Sequence, residues 1–182
     1  MKHLFITLAL LIFTCPLSAQ MDALDSLGLV TPPYVKRMKQ TGTFGNIEVS
    51  YFRLEKEGQP NQEYVRLALS KNPIISTTTY EVLRAYETGI LLLTKEDATA
   101  LYKRIGELYV IASKKGGQTY VEYVDEFPTV RGFLLLRMYS NEGVGKWRMV
   151  ISGTGTRRRG ELGFGVMGEL GGAIRDAVAL MK

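Results

Sequence analysis

Basic side chains are concentrated in the stretch between Phe127 and Gly160, which contains only one acidic residue, Glu142. The seven basic residues are Arg131, Arg137, Lys146, Arg148, Arg157, Arg158 and Arg159. An arginine guanidinium is a planar fork that holds phosphate, sulfate or carboxylate through two hydrogen bonds, and neighbouring aromatic rings add contact area. The stretch therefore predicts a surface that binds an anionic ligand.

The spacing of these residues is typical of strands, in which side chains alternate between two faces. Arg131 and Arg137 share one parity with Phe133 and Tyr139, which places charge beside aromatic rings on one face. The candidate ligand-binding residues are Arg131, Arg137, Tyr139, Arg148, Arg157, Arg158 and Arg159, with Phe133 as a further contact. The alternative is a solvated face of an antiparallel sheet, followed by an exposed arginine loop without a ligand.

A group of acids suggests a second kind of chemistry. Glu122, Asp125 and Glu126 lie close together near the end of a predicted strand. Two carboxylates can hydrolyse a glycosidic bond, one as the acid and the other as the base or nucleophile. Acidic residues are mostly surface residues, so an exposed strand edge, or pairing with the basic stretch, is the alternative.

The positions of histidine and cysteine exclude several enzyme classes. His3 and Cys15 are the only residues of their types, and both lie in an N-terminal stretch that we expect to be removed. The remainder then has no Ser-His-Asp or Cys-His machinery, no His or Cys metal site and no disulfide. We expect no catalytic residues, no metal and no cofactor.

A glycine-rich motif precedes the C-terminal helix. Gly163–Gly168 matches the G-x-G-x-x-G pattern of dinucleotide-binding loops. The motif lies too near the C-terminus for the second strand and the acidic residue that such a site requires. We therefore expect a glycine-rich bend, in which Gly168 and Gly172 allow the last helix to approach a sheet.

The N-terminus has the features of a secretory signal peptide. Met1–Ala19 begins with a basic residue, continues with an apolar run at Leu4–Phe13 and ends in small residues. The apolar run is shorter than the roughly 20 residues that span a membrane. We expect cleavage after Ala19, and export to the periplasm or beyond the cell. Phe13 and Thr14 precede Cys15, so lipidation of Cys15 is not expected.

The rest of the chain divides into a lead-in segment, 20–43, and a single domain, 44–182. The lead-in contains adjacent prolines and no sustained period, which predicts an extended or partly helical segment. Alternation then predicts strands near 47–51, 64–69 and 80–84, and a short apolar run follows at 90–93.

Helical spacing begins after Thr94, which with Asp97 resembles a capping box and predicts a helix ending near Lys114. Alternation resumes in three predicted strands, at 120–127, 131–139 and 146–152, and Trp147 is expected in the core. A final amphipathic helix is predicted from Glu169 to Met181. The two helices superpose without a gap at an offset of 72 residues, so duplication and coincidence both remain open.

These elements predict the α+β class, with antiparallel strands in two groups, each followed by a helix on one sheet face. The pattern is similar to that of whirly-type proteins, which bind single-stranded nucleic acid. That similarity lies at the level of the fold, and no family motif carries it. An exported protein rarely meets nucleic acid, so we do not expect nucleic acid to be its partner.

The chain has 182 residues and a formal net charge of +5, which becomes +4 when Lys2 is removed with the signal peptide. About 160 residues can bury enough apolar surface for a stable core without disulfides. The sequence predicts an exported binding module, not an enzyme, whose partner is an envelope glycan, a lipid head group or an acidic protein. The alternatives are a carboxylate-dependent hydrolase of an extracytoplasmic glycan and a structural envelope protein.

Overall fold

A computed structural model describes residues 33–70, 89–114, 120–141, 146–154, 156 and 158–182. The eight strands in these ranges are β1 (Val35–Phe44), β2 (Ile47–Glu55), β3 (Gln62–Leu69), β4 (Gly89–Leu93), β5 (Val121–Thr129), β6 (Gly132–Asn141), β7 (Lys146–Gly153) and β8 (Arg159–Gly163). The two α-helices are α1 (Lys95–Lys114) and α2 (Met167–Ala179), and a 3₁₀ turn at Phe164–Val166 leads into α2.

The strands form two antiparallel sheets of four. Sheet 1 has the order β1-β2-β3-β4 and is followed by α1, whereas sheet 2 has the order β5-β6-β7-β8 and is followed by α2. All six strand pairs join neighbours in sequence. The predicted α+β class, with two antiparallel strand groups each followed by a helix, is confirmed.

Helix α1 begins as its sequence predicts. The backbone N–H of Asp97 donates to Thr94 Oγ1 at 3.2 Å, and the Thr94 hydroxyl donates to the Asp97 carboxylate at 2.8 Å. This pair satisfies a backbone donor that the first turn of a helix otherwise leaves free. The buried side chains of α1 follow at helical spacing: Ala98, Leu101, Ile105, Leu108 and Ala112.

One main core joins both sheets and both helices. Sheet 1 contributes one face of β2, β3 and β4, and sheet 2 contributes the face that contains Leu134, Leu136 and Met138. Trp147 belongs to this core, is 5% exposed and lies 6.3 Å from the ring of Tyr123. A smaller cluster, formed by Phe52, Leu54 and Leu92, lies on the other face of sheet 1.

Glycines in sheet 2 allow the two sheets to approach each other. A Cβ built on Gly153 would overlap Leu91, and one built on Gly160 would overlap Ile47. The expected role of Gly168 and Gly172 is wrong, because a Cβ at Gly172 meets nothing within 4 Å and one at Gly168 meets only Tyr109, at 4.0 Å. The close approach occurs in strands β7 and β8, where a side chain would separate the sheets.

Several elements differ from the prediction in position. Residues 35–43, which the pattern assigns to the lead-in, form most of β1, and β8 lies in a stretch predicted as a glycine-rich connection. Arg131 lies in the turn before β6 instead of on the strand. The predicted signal peptide, the predicted strand at 80–84 and Arg157 lie outside the described residues.

The helices α1 and α2 bury equivalent positions at the offset of 72 residues. Ala98, Leu101 and Ile105 in α1 correspond to Leu170, Ala173 and Ala177 in α2, and all six are buried. Within the described ranges, neither helix is long and apolar enough to cross a lipid bilayer.

Candidate functional site

Sheet 2 has one face turned away from the core, which we call the outer face. Its members alternate along the strands with buried residues such as Leu134 and Leu136, because side chains of a strand point alternately to the two faces. They are Glu122, Val124, Glu126, Pro128, Phe133, Leu135, Arg137, Tyr139, Arg148, Val150, Ser152, Arg159 and Glu161.

The strand register arranges these side chains in rows across the outer face. One row contains Val124, Arg137, Val150 and Glu161, in that order from β5 to β8. The next row contains Glu122, Tyr139 and Arg148, and the row on the other side contains Glu126, Leu135, Ser152 and Arg159. Arginine, aromatic and aliphatic side chains therefore alternate over a surface four strands wide.

Most of the predicted ligand-binding residues come together on or beside this face. Four of them lie on it: Arg137, Tyr139, Arg148 and Arg159. The three arginines are exposed, and Tyr139 is partly exposed. Arg131 is exposed in the turn between β5 and β6. Arg158 is partly buried, and its backbone N–H donates to Thr156 Oγ1 at 3.0 Å.

The arginines differ in whether a carboxylate neutralises them. Arg148 donates from Nη1 to Glu161 Oε1 at 2.8 Å, so its charge is paired within the face. Among the residues that the structure describes, Arg131, Arg137 and Arg159 form no ion pair. These three exposed guanidinium groups keep their hydrogen-bond donors available for a ligand.

Acids from outside the basic stretch reduce the charge of the outer face. Glu122 and Glu126 reach the outer face from β5, and Glu161 reaches it from β8. The Tyr120 hydroxyl donates to Glu122 at 2.8 Å, and this hydrogen bond raises the pKa of Tyr120. Pairing of these acids with the basic stretch is one of the alternatives that the sequence leaves open, because strand pairing, not chain order, determines which side chains share a face.

One end of the outer face carries exposed basic side chains at Arg131 and Arg159, and we call it the basic end. It consists of Arg131, Phe133, Arg158 and Arg159. The β5–β6 turn is joined there to the connection before β8, because Phe133 N–H donates to Thr154 Oγ1 at 2.7 Å and Thr154 N–H donates to the Phe133 carbonyl at 2.8 Å. Phe133 is 47% exposed and adds apolar area beside the cations.

A side chain from sheet 1 supports the basic end. Asn46, in the turn between β1 and β2, donates from Nδ2 to the Arg159 carbonyl at 2.7 Å and to the Ser70 carbonyl at 2.9 Å. Asn46 cannot be identified from local sequence, because its contact spans 113 residues and depends on the packing of the sheets. This hydrogen bond fixes the backbone from which Arg159 projects.

The three acids of the predicted hydrolase are separated. Asp125 lies on the inner face, where Arg104 Nε donates to its carboxylate at 2.8 Å, and this hydrogen bond raises the pKa of Arg104. Glu122 and Glu126 share the outer face, but four residues of strand separate them by about 13 Å. Paired carboxylates in glycosidases are about 5 to 9.5 Å apart, so this geometry does not favour hydrolysis.

Comparisons with protein-family models, curated proteins and solved structures found no match to the chain. Within the described ranges, no group of three or more Cys, His, Asp or Glu side chains is arranged to hold a metal ion. The candidate site is an exposed sheet face with a basic end.

Proposed function

We propose that the protein is an exported binding module, not an enzyme, and that it holds an anionic partner at the basic end and along the adjoining outer face. The observation that carries this proposal is that Arg131, Arg137 and Arg159 are exposed and form no ion pair with any described residue, on or next to the sheet face that also carries the exposed Phe133. Export is inferred from the N-terminal sequence alone.

The chemistry of the face supports an anion with several charges. Arg131 lies in the β5–β6 turn and Arg159 begins β8, so a ligand that contacts both must extend across the end of the sheet. Arg137, in the middle of the face, lies between Val124 and Val150 in its row and offers one more cation beyond the basic end. An extended polyanion or a layer of anionic head groups would contact all three.

The test is a binding titration of the purified protein with three probes: a sulfated polysaccharide, inorganic polyphosphate, and vesicles that contain an anionic phospholipid. We expect binding to at least one probe and a steep loss of affinity as salt is raised, because exposed charges are screened within about 8 Å at physiological ionic strength. The probe that binds identifies the class of partner.

A matched pair of variants separates the site from net charge. Arg131→Gln with Arg159→Gln should lower the affinity at least tenfold, whereas Lys103→Gln with Lys114→Gln removes the same charge on α1 and should change the affinity less than twofold. Equal effects of the two pairs would mean that binding follows net charge alone. An absence of binding to every probe at low salt would contradict the proposal and favour the structural envelope protein.

A further inference from the structure

Strand β1 is a long strand at the edge of sheet 1. Among the described residues, β1 pairs with β2 on one side and has no partner strand on the other. Residues 35–40 are all exposed, and the apolar side chains of Val35 and Met38 are 53% and 51% exposed. An edge strand of this kind offers backbone donors and acceptors to an incoming strand.

The exposed half of β1 is strongly basic. Lys36, Arg37 and Lys39 lie within four consecutive residues, and no acid lies in the strand. Arg37 donates to Glu55 at 2.9 Å, whereas Lys36 and Lys39 form no ion pair with any described residue. The edge therefore combines free backbone positions with two unneutralised cations on opposite faces of the strand.

Self-association through this edge places like charges together. When two copies of β1 pair antiparallel about a two-fold axis, the residue on the axis faces the same residue of the other copy. A residue that follows the axis faces the residue that precedes it by the same number of positions. An axis at residue 36, 37 or 39 opposes that cation to its own copy, and an axis at Met38 opposes Arg37 to Lys39. Like charges directly opposite in a sheet are destabilising, so a second copy centred on residues 36–39 is a poor occupant.

We propose that β1 binds an extended acidic segment of a partner protein by strand addition. The segment would pair with the free edge at 35–40, placing carboxylates opposite Lys36 and Lys39 and an apolar side chain opposite Met38. Backbone hydrogen bonds would supply affinity, and the charge pattern would select the partner. This surface is separate from the basic end of sheet 2 and requires no ligand there.

The test uses a synthetic ten-residue peptide with a central Glu-Val-Val-Glu segment, whose glutamates lie on opposite faces of a strand and can face Lys36 and Lys39. The same peptide is also made with N-methyl groups on alternate residues. N-methylation keeps the charge and removes the donors along one edge. We expect the unmodified peptide to bind, to slow hydrogen exchange at amides within 35–40, and to lose at least tenfold in affinity when it is N-methylated on the pairing edge. Because the pairing edge is unknown, each of the two N-methylation patterns is measured.

Variants complete the test. Lys36→Glu with Lys39→Glu should weaken peptide binding at least tenfold while the far-UV circular dichroism stays unchanged, because both side chains are exposed. Lys103→Glu with Lys114→Glu makes the same change of charge on α1, away from both proposed surfaces, and should leave peptide binding within twofold. Equal binding of the unmodified peptide and both N-methylated peptides, protection confined to sheet 2, or no binding at low salt would overturn strand addition at β1.

Discussion

Gly160 of β8 lies against Ile47 of β2, so that a Cβ at position 160 would occupy the space of the Ile47 side chain. Ile47 is completely buried, and Gly160 is buried as well. This contact joins sheet 2 to sheet 1 beside Arg159, the residue at the basic end whose carbonyl accepts from Asn46. The geometry of the candidate site therefore depends on a contact between the sheets.

Gly160→Ala should reduce the free energy of unfolding by about 1 to 3 kcal/mol, because the added methyl group overpacks the contact with Ile47. Gly163→Ala is the matched control in the same strand, since a Cβ there meets nothing within 4 Å. Denaturant titrations of both variants provide the measurement. Equal stabilities would mean that the sheets do not meet at Gly160.

The same contact predicts coupling between the two positions. Ile47→Ala alone should cost about 2 to 5 kcal/mol, because it leaves a cavity in the core. In the double variant with Gly160→Ala, the new methyl group has room, so the loss of stability should be smaller than the sum of the single losses. Additive losses in a double-mutant cycle would argue against direct contact.

Thr94→Ala should lower the free energy of unfolding by about 1 kcal/mol, because Asp97 loses the hydroxyl that accepts its backbone N–H. Thr99→Ala is the control one turn further along α1, where the hydroxyl donates to the Lys95 carbonyl inside the helix. The free energy of unfolding of the Thr99→Ala variant should stay within about 0.5 kcal/mol of that of the unaltered protein. If Thr99→Ala lowered the free energy of unfolding more than Thr94→Ala, Thr94 would not be the residue that caps α1.

Glu63 should make the fold sensitive to acid. Burial raises the pKa of its carboxyl, but hydrogen bonds from Tyr51 and the Lys182 backbone, with the charge of Arg53, more than offset burial, so the pKa lies below the ordinary 4.5. A lowered folded-state pKa gives stability that is present above the unfolded-state value and is lost as pH falls through the folded-state value.

The difference in unfolding free energy between the unaltered protein and Glu63→Gln should therefore shrink as the pH falls below about 4.5. Urea titrations at a series of pH values between 7 and 3 provide the measurement. The exposed Glu57, changed to Gln, serves as the control for removing one carboxylate. A difference for Glu63→Gln that is constant with pH would exclude the lowered pKa.

Glu161→Gln should strengthen anion binding, because it releases Arg148 from its ion pair on the outer face. We expect a gain of a few-fold in affinity at low salt and a smaller gain at high salt. Glu169→Gln, an exposed acid in α2, gives the same change in net charge away from the face. Equal gains in the two variants would show that Arg148 takes no specific part in binding.

The helix at Lys95–Lys114 is predictable from sequence because its cap and its buried positions are local features. Strand β8 is not predictable in this way. Its buried residues, Gly160 and Leu162, lie among arginines and glycines, so its sequence lacks the alternation of apolar and polar residues that predicts a strand. The parity of Arg137 and Tyr139 correctly places them on one face. Their neighbours across the sheet depend on register, which local spacing does not specify.

The most direct test of the proposed site is an amide chemical-shift map of the ¹⁵N-labelled protein, titrated with whichever anionic probe binds. We predict that the largest shifts fall at the basic end and on the outer face, around Arg131, Phe133, Arg137 and Arg159, and that they decrease together as salt is raised. Shifts confined to β1 or to the helices, with sheet 2 unchanged at saturating probe, would contradict the assignment of the anion-binding site.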